Sequence, residues 1–373
     1  MVGTPPSSQV EVWRARARTF ASEEIEPRVP EMERTDRLPP EILARLAEVG
    51  FLGLTLPVEF GGAGASTRAT AAVLGEVARA SAAVATLLSV HLSVASTPLV
   101  AWGTPEQKHR YLPAMASGRR LGAFALTESG AGSDAGSIAC RYRRTEGGFR
   151  LDGTKMFITN GALADLLITF ANVDPARGAR GVSAFLVEKG APGLSVAQRL
   201  AKLGLRGSET TELVFDGLAL PAEALLGTEG QGLSIALRAL TDGRVGIAAV
   251  ALGVAEASLQ ELLETVRESR TEGGRAAVAR AFTEVSAARA LVERAAELRD
   301  AGAPFAEAAS AAKLFASEVA VRTAESAVDA AGPAGGLVDG RAGRLLRDAR
   351  VFPIVEGTSE VQEIVLGRAL VGR

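Results

Sequence analysis

Cysteine and histidine are nearly absent. Cys140 alone cannot form an internal disulfide, and His91 and His109 are too few to build a Cys/His zinc cluster. The setting this implies is a reducing cytosol. Excess charge is also missing: Lys plus Arg is 41 against 43 for Asp plus Glu, so no positive field exists to attract nucleic acid or acidic lipid. Lysine occurs only at 108, 155, 189, 202 and 313, which reads as codon bias favouring arginine. No serine sits in a Gly-x-Ser-x-Gly elbow, which disfavours a nucleophilic hydrolase. The Arg-rich stretch Ser7 to Arg18 has no apolar h-region and does not read as a secretory signal. The one uncharged stretch of membrane length, Ser81 to Trp102, is interrupted by serines, threonines, His91 and Pro98. It reads as a buried bundle helix, with no membrane span expected.

What is present divides into three textures. An apolar content of 47% over 373 residues supports more than one core. Up to about residue 120 the periodicity is helical, as in Pro40–Val49 and Thr67–Val77, with breakers at Pro57–Gly64 and Gly103–Pro105. From 121 to 228 short β-type runs take over: Leu121–Leu126, Phe149–Leu151, Leu166–Ala171, Val182–Val187 and Thr211–Phe215. From 229 to 373 long Ala/Leu/Arg/Glu helices return, at about 231–268, 275–300 and 304–331, as in a helical bundle.

Two constellations can carry chemistry. Gly130-Ala131-Gly132-Ser133-Asp134-Ala135 matches the dinucleotide fingerprint in letters, but Ser137 to Thr159 reads as strand and turn where a crossover helix is required. What survives is a Gly-rich loop with hydroxyls at Thr127, Ser129 and Ser133, suited to a polar ring edge or a phosphate; taken alone, a plain β-turn is the better explanation. In Val355-Glu356-Gly357-Thr358-Ser359-Glu360-Val361-Gln362, capping-box spacing predicts a helix from Ser359 to about Gly367. Glu356 then lies in the turn before that helix, after the apolar run Val351 to Val355, where burial would raise its pKa toward that of a general base. The spacing alone favours a solvated acid beside a cap. His91 reads as a core residue, and Arg341–Arg350 as surface or intersubunit ion pairs.

Taken in order, six strings resemble the acyl-CoA dehydrogenases across nearly the whole chain. They are Gly103–Lys108, Phe124–Asp134, Gly153–Asn160, Lys202–Ser208, Arg347–Arg350 and Glu356–Glu360. The resemblance implies a mainly α fold with a central β domain: an N-terminal helical domain, a small β-barrel-like domain and a C-terminal four-helix bundle. It implies FAD as cofactor, held by Phe124, Leu126, Thr127, Gly132, Ser133, Phe157, Ile158, Thr159, Thr358, Ser359 and Glu360. The acyl-thioester channel would involve Ser133, Thr241, Arg244 and Gly357. Glu356 matches the base that removes the substrate's α-proton, and its backbone N–H would help bind the thioester carbonyl. Some relatives carry the base immediately before the Arg matching Arg244; Gly243 stands there and cannot serve.

The departures lie mostly at the distal end of the cofactor. Ser269-Arg270-Thr271-Glu272-Gly273-Gly274 replaces the family's Arg-x-x-Phe-Gly string, and Asp329 and Pro333 replace the Gln and second Gly of its Gln-x-x-Gly-Gly string. Thr241 takes the place of an Asp that helps hold pantetheine, and Ser129 that of a Pro. The leading expectation is α,β-dehydrogenation of an acyl-CoA, with electrons passed to an electron-transferring flavoprotein or similar acceptor, by a cytoplasmic homodimer or homotetramer. Alternatives are a substrate carried on acyl-carrier protein, a half-site subunit of a heteromeric flavoprotein, and an oxidase or monooxygenase on the same scaffold.

Overall fold

The apolar stripes of the first third dictate its helices. A computed structural model describes residues 7–269, 272–338 and 340–372; Arg270 and Thr271 of the altered string lie outside them. Helices α1 (Ser7–Phe20), α2 (Val29–Thr35), α3 (Pro40–Glu48) and α4 (Thr67–Ala80) are followed by α5 (Ala82–Val90), α6 (Thr97–Trp102) and α7 (Pro105–Ala116). The Ser81 side chain accepts from Val84 N and so starts α5, while a π-helical turn, His91–Ala95, joins α5 to α6. The window of Ala82–Trp102 apolar enough to cross a membrane is 83% buried inside the fold, and that of the long helix beginning at Gly232 is 72% buried. Both are core helices. Thr104 and Gln107 form a full capping box at the start of α7.

The middle of the chain forms eight strands: β1 (Gly122–Ala125), β2 (Arg141–Thr145), β3 (Gly148–Thr159), β4 (Leu166–Asn172), β5 (Val182–Glu188), β6 (Leu194–Arg199), β7 (Thr210–Pro221) and β8 (Leu225–Leu226). Their order is β6-β7-β3-β2-β4-β5-β8, with β1 parallel beside β4. The sheet is open, which corrects the barrel-like expectation: β2 and β4 meet through the single pair Arg141 and Asn172, and β6 and β8 remain edges. A packed aromatic trio of Tyr142, Phe149 and Phe185, with ring centroids 5.0–5.9 Å apart, fills one face of it. Strand β3 has a register shift between Lys155 and Ile158, and this irregularity carries Phe157.

The last third consists of α8 (Gly232–Ser269), α9 (Glu272–Asp300), α10 (Ala306–Ala331), α11 (Arg341–Ala349) and α12 (Ser359–Val371). Three long helices pack together, and the short α11 and α12 lie against α10 to complete the bundle. At Gly253 a Cβ would collide with the carbonyl of Gly75, so glycine lets α8 approach α4 closely. The arginines of 341–350 pair within the chain: Arg347 with Glu33 at 2.6 Å, Arg350 with Glu325 at 3.5 Å, and Arg344 donating to Ala80 O at 3.0 Å. They tie the bundle to the N-terminal helices and to its own α10.

Candidate active site

Several of the quoted strings turn out to be fastenings around the site. Leu205 N donates to Asp348 Oδ1 at 2.6 Å, which binds the Lys202–Ser208 string to the Arg347–Arg350 string, and Lys202 pairs with Asp36 at 3.0 Å. Asn160 is fully buried and its amide donates to Leu87 O and Gly122 O. His91, also fully buried, accepts from Gly122 N at Nδ1 and donates from Nε2 to Leu52 O. Burial lowers its pKa to about 4, so it is a neutral structural residue. Cys140 is buried too, and its thiol is pushed up to about 11, leaving it inert.

The Gly-rich loop is held from below by an ion pair whose role the sequence reading missed. Lys155 is fully buried; its ammonium donates to Glu128 Oε1 at 2.7 Å and to Leu126 O at 2.8 Å. Glu128 also accepts from Ala139 N and Cys140 N, and Met156 N donates to Thr127 O at 2.8 Å. Thus the loop Thr127 to Ser133 and the end of β3 form one rigid unit. Above it, Phe157 has φ +60° and is 63% exposed, an aromatic ring held out on left-handed backbone. Ile158 points into the β core and Leu126 into the main core, so only their backbones face outward; Thr159 is partly buried. Gly132 and Ser133 are exposed, with open space where a Cβ at Gly132 would go.

Glu356 stands across from this unit. Its residue has φ +54°, followed by Gly357 at +94°, and the Thr358 hydroxyl then caps α12 by accepting from Val361 N. The cap is Thr358, one residue earlier than the spacing suggested. Gly243 of α8 faces the Glu356 carboxylate so closely that any Cβ there would collide with Oε2. Glu356 Oε2 has no hydrogen-bond partner among the described residues. Burial raises the Glu356 carboxyl to about 7, against the lowering pull of Lys313 and then Arg244. Arg244 is buried and donates to Ser310 Oγ of α10 at 3.2 Å.

The two halves meet through Val94, which contacts the Gly243 position and packs with Val90, Ala239, Leu240 and Phe124 of β1. Ser133 lines a separate groove of about 500 Å³ with Leu233 and Leu237 of α8. The Thr241 hydroxyl, one turn further on, donates back to Leu237 O. Thr358 and Glu360 hydrogen-bond locally, and Ser359 Oγ lacks a partner among the described residues. Asp329, near the end of α10, is exposed, as are Arg275 and Arg280 on α9.

Models of the acyl-CoA dehydrogenase N-terminal, middle and C-terminal domains match residues 7–119, 123–218 and 230–371. The chain belongs to the acyl-CoA dehydrogenase family. It is 44% identical over 370 residues to an acyl-CoA dehydrogenase of Bacillus subtilis (strain 168), covering 97% of each protein. Among solved structures it matches butyryl-CoA dehydrogenase from Megasphaera elsdenii with a TM-score of 0.96 and 34% identity, over 99% of this chain and all of that one. A chain from the structure of an electron-transferring flavoprotein of Acidaminococcus fermentans, solved toward a mechanism of flavin-based electron bifurcation, matches with a TM-score of 0.97 and 36% identity over both whole chains. The protein is therefore an FAD-dependent oxidoreductase of acyl thioesters. Its surfaces suit a flavin: an outward aromatic ring at Phe157, a rigid loop with unobstructed glycines, and an unpartnered hydroxyl at Ser359.

Proposed function

We propose that the enzyme dehydrogenates a short acyl-CoA between its α and β carbons, with Glu356 as the base. The observation that carries this reading is Glu356 itself, a partly buried carboxylate on left-handed backbone, with one oxygen unpartnered and a pKa near 7. When bound, the flavin supplies the two-electron acceptor for the β-hydrogen. Glu356 takes the α-proton on its carboxylate, and its backbone N–H helps hold the thioester carbonyl as negative charge develops there. Thr127 to Ser133, Phe124 and Phe157 to Thr159 form one side of the cofactor site, with Thr358 to Glu360 on the other.

Ser133, with Leu233 and Leu237, would take the pantetheine arm, and Arg244 and Gly357 border the thioester. A short acyl chain is favoured because α8 and α5 come close one turn beyond Gly243, where a Cβ at Gly246 would lie 2.6 Å from Ser89 Oγ. The domain divisions would fall at 120/121 and 228/229. The reading extends to a cytoplasmic homodimer or homotetramer that passes electrons to an electron-transferring flavoprotein, which its likeness to the Acidaminococcus chain supports.

Thr241 and Asp329 favour acyl-carrier protein as the second candidate carrier. Anaerobic bleaching of the flavin by matched CoA and carrier-protein esters of two to eight carbons separates the possibilities. Fastest bleaching by butyryl-CoA is expected; preference for the carrier-protein ester would transfer the reading to that substrate. A yellow homo-oligomer with one FAD per chain is expected on purification, and a colourless chain would favour the half-site alternative.

A further inference from the structure

The helix face of α10 opposite the candidate base carries a lysine that sequence reading assigned no function. Lys313 is fully buried, and its ammonium donates to the carbonyl of Gly357 at 2.6 Å. The same carbonyl accepts from Gln362 Nε2 at 3.0 Å, so two donors from two helices grip the residue after Glu356. One turn earlier on α10, Ser310 holds the buried Arg244. A single helix face therefore holds both the turn bearing Glu356 and the cation beside it.

From this arrangement we propose that Lys313 is the positioning residue of the base: its ammonium clamps the Glu356–Gly357 turn in its left-handed conformation and supplies the principal positive charge facing the Glu356 carboxylate. Positive φ at the non-glycine Glu356, with Gly357 after it at +94°, is strained and persists only when neighbouring contacts hold it. A bond from a buried cation to a carbonyl is a strong form of such a contact. The lysine is also an unusual choice for so buried a place. A neutral donor would satisfy the carbonyl, and burial lowers the Lys313 pKa to about 8, so the charge is retained against desolvation. The charged groups acting on it are Glu356 on the turn, Arg244 on α8, Glu360 on α12 and Glu318 on its own helix. Of these Glu356 has the largest effect, and reciprocally Lys313 is the strongest cation acting on Glu356. Lys313 thus restrains the rise in the Glu356 pKa that burial causes, keeping a fraction of the base ionised at neutral pH.

The proposal rests on Glu356 being the base only where rates are concerned; the titration of Glu356 is measured independently of turnover. Difference infrared spectra against E356Q report the protonation of the Glu356 carboxyl as pH varies. K313Q retains a donor for the Gly357 carbonyl but loses the charge, and K313M loses both. In both variants the carboxyl midpoint should rise by about one unit or more. Anaerobic flavin reduction by K313Q should then fall about tenfold at pH 7 and recover toward the wild-type rate at pH 9, whereas K313M should stay slow at every pH. K313R should restore the wild-type midpoint. An unmoved midpoint in K313Q overturns the electrostatic role, and full activity of K313M at pH 9 overturns the clamp. Should the lysine variants fail to fold, E356Q tests the same pairing from the other side. With lysine at only five positions, selectively 13C-labelled lysine resolves Lys313 by NMR, and its pKa should drop when Glu356 loses its charge. An unchanged Lys313 titration in E356Q would overturn the proposal.

Discussion

Two glutamates flank the same site and have opposite fates. Glu128 is buried with its charge fully answered, by Lys155 and by the N–H groups of Ala139 and Cys140. Glu356 sits on strained backbone with one oxygen free, facing a glycine. A carboxylate whose partners are all supplied by the fold is a fastening; one left short of partners among apolar walls is available to a substrate. Charge and burial alone do not separate the two, but hydrogen-bond satisfaction does.

The comparison is broken most severely at the proposed base. Glu356→Gln should lower the rate of anaerobic flavin reduction by about 10²–10⁴-fold or more while FAD content stays near normal, as read by stopped-flow absorbance. Lys155→Met should leave Glu128 buried without its cation, destabilise the fold by about 3–5 kcal/mol in urea unfolding, and loosen the loop enough to release FAD. Gly243→Ala should leave stability almost unchanged yet slow reduction by about 10²-fold, since the new methyl displaces the Glu356 carboxylate from its position. If Gly243→Ala instead unfolds the chain, Gly243 belongs with the fastenings.

A smaller effect appears in stability against pH. Folding raises the Glu356 carboxyl from 4.5 to about 7, so the folded state holds that proton more tightly than the unfolded chain. Its contribution is fully present below about pH 4.5 and is lost as pH rises to about 7. Asp348 is raised as well, to about 6, but is common to both proteins in the comparison. Wild type should therefore lose about 3 °C of Tm relative to Glu356→Gln between pH 5 and pH 8. The smallest effect belongs to Asp329. Its carboxylate is exposed, so Asp329→Gln should slow FAD loss during high-salt dialysis by about two- to fivefold. No change on substitution would mean that the distal half of the cofactor lies elsewhere.

The long helices were legible because their signal is local. The expected bundle segments 231–268, 275–300 and 304–331 correspond to Gly232–Ser269, Glu272–Asp300 and Ala306–Ala331. The strands were legible as runs, but the openness of the sheet was not, because it turns on the end strands β6 and β8 not pairing with each other, which no run of residues encodes. Glu356 was found through its string and its place before a helix, although the cap proved to be Thr358. Lys313 was invisible for a physical reason: it lies in an Ala-rich helix, and no periodicity reveals that its ammonium reaches a carbonyl 44 residues further on. Glu128 and Lys155 were both inside quoted strings, yet nothing in either string says that they meet across the loop. The left-handed backbone at Phe157 and Glu356 likewise carries no letter of its own, since both residues ordinarily avoid that conformation.

The central claim, that Glu356 removes the α-proton, is tested most directly by exchange. An acyl-CoA substrate incubated anaerobically with excess enzyme in D2O should take deuterium at its α-carbon, at a rate that rises with pH through about 7 in wild type and is lost in Glu356→Gln. Exchange by Glu356→Gln at the wild-type rate would contradict the account and assign the proton to another base.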